Sequence, residues 1–147
     1  MSDNSLEYDQ DLYAWFKHNA YLLRQGQLAE IDRLNLAEEL DDMGISQLRA
    51  LESRLTILLA HLLKWQFQPQ RQTPSWQYTI IEQRKQVKKI LKRSPSLKHD
   101  FNETLLDAYD SARRYSASET NLELEIFPEQ CPYSVEQVLD DNFYPNN

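Results

Sequence analysis

Cysteine occurs once in this chain, at Cys131, and glycine only twice, at Gly26 and Gly44. A lone cysteine excludes an internal disulfide and any multi-cysteine metal cluster within one chain. So few glycines leave little for tight β-hairpins or for a glycine-rich phosphate loop, so a P-loop and a dinucleotide-binding turn are set aside. Long apolar runs are missing as well. The richest, LTILLAHLL, is too short and too interrupted to cross a membrane. The opening residues, MSDNSLEYDQDLY, show no basic stretch followed by an apolar one, so no secretory signal is expected, and a cytoplasmic protein without a membrane segment is. Basic residues are outnumbered, 16 against 23 acidic, for a net charge of −7, which argues against non-specific nucleic-acid binding by the whole surface.

What is present is ordinary for a globular protein: 147 residues, 41% hydrophobic and 27% charged, enough for one domain with a real core. Leu48, Leu51, Leu55, Leu58, Leu62 and Trp65 recur at steps of three and four, the spacing of a long amphipathic helix with one buried seam. That helix is expected from about Ile45 to Phe67, closed by Pro69, because the residue before a proline leaves helical space. Before it, Asp9 or Asp11 can cap a first helix that stops at Gly26. A second helix starts near Glu30 or Asp32 and turns Leu36, Leu40 and Met43 inward. Gly44 is read as a short break between this helix and the seam helix.

Thr73 with Pro74 marks another helix start, running to about Arg93 with Trp76, Ile80, Val87, Ile90 and Leu91 on one side. Ser94 with Pro95 repeats the signal for a helix carrying Leu97, Phe101, Leu105, Ala108, Ala112 and Tyr115 inward. From 120 onward the chain reads as an extended strap, with a last short helix over SVEQVLDDNF begun by the capping pair Ser134 and Gln137. The expected fold is therefore all-α: an antiparallel bundle of about four main helices with a C-terminal strap, one domain over 1–147, its first eight residues flexible.

The order YDQDLYAW, NLAEELDDMG, HLLKWQFQP, SWQYTIIEQR, SPSL and FPEQCPYS, from about Tyr8 to Tyr144, resembles the bacterial family known as domain of unknown function 29. The resemblance implies a small all-helical bacterial protein. It brings no activity, ligand or catalytic residue.

Chemistry-bearing residues are few. His61 lies beside the seam, where it would serve as a base or ligand at a cavity edge or as a half-buried histidine bonded to a neighbouring helix. Glu38, Glu39, Asp41 and Asp42 crowd one helix, and Glu39 with Asp42 shares a surface. A metal-dependent enzyme built on Glu39, Asp42 and His61 is one reading, although no Glu-x-x-His pair of a di-metal bundle is present. His99 and Glu103, four apart, are half of a metal site at best. Lys64, Trp65, Arg71 and Trp76 surround a helix-to-helix turn and make a candidate pocket for an anion or flat ligand, or else a hydrophobic plug. Gln83 sits within an apolar stripe and needs a partner if buried.

The run 84–93, with Arg84, Lys85, Lys88, Lys89, Lys92 and Arg93, suggests anion or nucleic-acid binding, but aromatic residues do not interleave with its charges. No complete catalytic set stands out, so the leading expectation is an interaction module without catalytic activity. It binds a protein partner or itself and needs no cofactor; nucleic acid is a lesser alternative.

Overall fold

The computed structural model describes the backbone of residues 3–146 and the side chains of residues 4–146. Six α-helices form: α1 Asp3–Gln10, α2 Leu12–Arg24, α3 Arg33–Phe67, α4 Pro74–Arg93, α5 Phe101–Thr120 and α6 Val135–Leu139. Short 3-10 turns at Pro69–Arg71, Pro95–Lys98 and Leu124–Ile126 connect them, and no strand occurs among the described residues. The all-α class is as the periodicity predicts. The chain divides into two compact units, Met1–Ser46 and Gln47–Asn147, with α3 contributing to both.

Several helix ends form for the reasons read from the sequence. Asp11 accepts from the Ala14 amide and caps α2, which Gly26 ends at a φ of +71°. Thr73 accepts from the Trp76 amide ahead of Pro74. Ser134 and Gln137 close a complete capping box on α6, which ends at Leu139 rather than at Phe143. Asn121, at a φ of +57°, takes the left-handed turn that ends α5.

Two expectations about helix boundaries fail. Gly44 does not interrupt the helix, since α3 runs through it, and a single mid-helix glycine costs only about 1 kcal/mol. Ser94–Pro95 opens a 3-10 turn, not an α-helix, and α5 begins later, at Phe101. The chain is helical from Asp3, with Asn4 buried; of the eight opening residues expected to be flexible, residues 1–2 lie outside the described part.

In the C-terminal unit the predicted seam holds. Leu51, Leu55, Leu58 and Leu62 are fully buried, joined by Ile80, Val87, Leu105, Ala108 and Ala112 from α4 and α5. Leu48 lies outside this seam, 41% exposed, and Trp65 is half-buried. The strap is pinned by polar bonds: the Tyr109 hydroxyl donates to the Pro128 carbonyl and Arg113 Nε to that of Phe127. Tyr133 donates to Gln66 on α3 at 2.8 Å.

The N-terminal unit is built differently. Its centre is polar. Asn19, 1% exposed, exchanges hydrogen bonds with Asn4 at 2.8 and 2.9 Å and accepts from the Asp32 amide. Trp15, fully buried, donates through Nε1 to the Asp32 carboxylate. The Tyr8 hydroxyl donates to Glu39 at 2.6 Å, and that bond to a carboxylate, with burial, raises its pKa to about 12.

Candidate functional site

The expected site residues fall into separate surroundings. In the C-terminal unit, Lys64 is 6% exposed, its chain running between two rings: Nζ stands 5.2 Å from the Trp76 centroid and 5.8 Å from that of Tyr115. Burial lowers the Lys64 pKa, and the charge of Glu119 opposes that shift. Glu119 itself accepts a hydrogen bond from the Tyr115 hydroxyl, raising that phenol's pKa. One turn away, His61 places Nδ1 2.8 Å from the Ile57 carbonyl. A carbonyl only accepts, so neutral His61 carries its proton on Nδ1. Burial lowers the His61 pKa, the Ile57 carbonyl raises it, and nearby Lys64 lowers it further.

Of the expected pocket residues, Lys64 and Trp76 therefore meet, and the structure adds Tyr115 and Glu119. The others go elsewhere. Trp65 tilts against Tyr144, centroids 5.0 Å apart, and Arg71 is exposed in the Pro69–Arg71 turn. Gln83 is buried, its carbonyl 3.5 Å from Arg54 Nη1. Arg84 belongs neither to a pocket nor to the cationic surface. It is 1% exposed and donates to the carbonyls of Gln137, Val138 and Phe143, where it ties down α6 and the chain beyond it. Its Nη1 is buried without a hydrogen-bond partner.

The proposed metal set does not assemble. Among the described residues, no three His, Cys, Asp or Glu side chains gather closely enough to hold a metal ion. Glu39 is engaged by Tyr8 in the N-terminal unit, Asp42 is exposed there, and His61 belongs to the C-terminal unit. The hollows of the C-terminal unit are shallow and of mixed lining. One, of about 510 Å³, lies between Glu52, Ser53, Thr56, Ile57, Ser111 and Tyr115.

The least expected surface lies in the N-terminal unit. Leu40 and Met43, expected inward, are 65% and 62% exposed, and Leu34 is 74% exposed. Eleven large hydrophobic side chains of this unit stand open, Tyr13, Phe16, Tyr21 and Leu28 among them, while among the described residues only Trp15 and Leu22 are buried large ones. The face of Leu36, Leu40 and Met43 read from periodicity is thus not buried within this unit, and Leu34 and Ile45 stand open on another side of the same helix.

A family model described as Domain of unknown function DUF29 matches residues 7–144. The chain belongs to the DUF29 family. No curated protein and no solved structure matches it. No helix among the described residues of this DUF29 chain is long and apolar enough to cross a membrane.

Proposed function

We propose that this DUF29 chain is a cytoplasmic protein-interaction module. The C-terminal unit is the scaffold, and the N-terminal unit is the docking end. The observation that carries this reading is the inverted distribution of apolar side chains before Gln47: eleven large ones exposed, two buried. So many large apolar side chains left open in one unit are the material of an interaction surface. Fully burying one Leu or Met stabilises by about 1.5–3 kcal/mol, so a partner covering even a few of them gains a useful affinity.

The enzyme reading lacks such support: among the described residues no three His, Cys, Asp or Glu side chains gather closely enough to hold a metal ion. The nucleic-acid reading has the exposed Lys85, Lys88, Lys89, Lys92 and Arg93 of α4, with one exposed aromatic residue, Tyr78, beside them.

Site-specific photo-cross-linking in the native cell tests the proposal. A photoreactive residue at Leu34 is expected to give discrete cross-linked species, and one at exposed Glu123 none. Absence of any adduct at Leu34 contradicts it.

A further inference from the structure

The charge of the chain is not spread evenly. Ten of the 23 acidic residues but only three of the 16 basic ones precede Gln47, so the N-terminal unit carries the whole formal charge of −7 and the C-terminal unit balances to zero. Four of those ten, Glu38, Glu39, Asp41 and Asp42, lie on α3. Leu34, Glu38, Asp41 and Ile45 follow one another at steps of four, three and four, so they share one face of α3, and all are exposed. Asp42 stands exposed beside them, while the exposed Leu40 and Met43 fall towards the opposite side of the helix.

The complementary face lies on the other unit. On α4, Tyr78, Ile81, Lys85, Lys89 and Lys92 follow at steps of three, four, four and three, and every one is exposed. Tyr78 and Ile81 are 67% and 52% exposed, although the opposite side of α4 buries Ile80, Val87 and Leu91 in the core. This face is apolar at its start and cationic beyond. Lys88, next to it, already pairs with Asp141 at 2.9 Å. The two faces share a step of four from an apolar to a charged residue. Setting Leu34 against Ile81 with the helices parallel brings Glu38 to Lys85; setting Ile45 against Ile81 with them antiparallel brings Asp41 to Lys85.

Resting on the reading of the N-terminal unit as a docking end, we infer that its occupant is a second copy of this chain, which lays the Tyr78–Lys92 face of its α4 on the Leu34–Ile45 face of α3. Two N-terminal faces meeting each other would set like charges together, which costs rather than stabilises. An N-terminal face meeting an α4 face joins opposite charges around apolar contacts. Each copy owns both faces, so the contact closes into a dimer or ring or runs on into a chain of copies.

Sedimentation equilibrium on the full chain tests this. At high micromolar concentration the wild type is expected to exceed the 17.5 kDa of one chain. Its mass should fall towards that value between about 0.1 M and about 1 M salt, as the screening length shrinks from about 10 Å to about 3 Å. Glu38→Lys with Asp41→Lys puts cations on both faces, and Lys85→Glu with Lys89→Glu puts anions on both. Each double variant alone is expected to remain a monomer with unchanged circular dichroism, since all four positions are exposed. Mixed in equal amounts, the two variants are expected to regain the wild-type mass.

A strictly monomeric wild type overturns the inference, as does association indifferent to both charge reversals, or a mixture that stays monomeric. A monomer whose Leu34 cross-links to a different protein refutes the second copy and leaves the docking end standing. A monomer with no adduct at Leu34 refutes both.

Discussion

His61 shows how a single side chain sets a pH response. Its neutral form donates from Nδ1 to the Ile57 carbonyl, and burial with neighbouring Lys64 disfavours a second proton, against a smaller pull from Glu119. The folded chain therefore takes up that proton at lower pH than the unfolded chain, whose histidine titrates near 6.5. Stability linked to His61 is full above that value and is lost as pH falls through it towards the depressed folded pKa. Urea unfolding at about pH 7.5 and about pH 5.5 should show a larger loss for the wild type than for His61→Gln, whose amide can still reach Ile57. Equal losses in both would show that His61 titrates freely. The same scale shows what the sequence hid. His61 reads from it as half-buried, and the structure agrees, but the acceptor is its own helix, not a neighbouring one. Arg84 reads as one more cation of a basic run. It turns inward because it lies next to Gln83 and three before Val87, on the buried side of α4, and because carbonyls around the end of α6 accept from it there. Those acceptors come from more than fifty residues away, so local spacing could not announce them. The Asn4–Asn19–Asp32 network was hidden for a related reason: small amides look like surface residues until three separate segments bring them together.

At the scale of elements, helix starts were the most legible feature, because a cap is chemistry between near neighbours. Asp11, Thr73 and Ser134 each do what their residue type and spacing predict. Breaks were less legible. Gly44 was expected to interrupt and does not, since a helix is lost only where glycine joins a competing turn or a left-handed backbone, as at Gly26. Gly44 keeps helical geometry, and a Cβ added there meets nothing within 4 Å. Gly44→Ala should therefore stabilise the chain by up to about 1 kcal/mol, through helix propensity and a less free unfolded state. Chemical denaturation followed by circular dichroism measures the gain. A destabilised variant would mean that α3 bends or opens at this position and is not continuous.

On the scale of the whole molecule, hydrophobic periodicity gave faces but not their fate. The same pattern of threes and fours appears at Leu36–Leu40–Met43 and at Leu51–Leu55–Leu58–Leu62. The second set lies in a core formed with α4, α5 and the strap, while Leu40 and Met43 stay open. A sequence pattern states that a face must be covered; whether the cover comes from the same chain is a property of the assembled fold. The buried side chains of the N-terminal unit are Trp15 and Leu22 with a handful of amide bonds, which is little to hold a unit of this size. An unfinished docking end must therefore open more readily than its scaffold. Hydrogen–deuterium exchange on dilute wild-type protein is the direct measurement. Amides of α2 and of residues 34–46 are predicted to exchange at least about tenfold faster than those of residues 51–66 in the same helix, an opening cheaper by about 1.4 kcal/mol or more. Equal, slow exchange along the whole length of α3 would show that the N-terminal unit is complete without a partner, and would contradict the account.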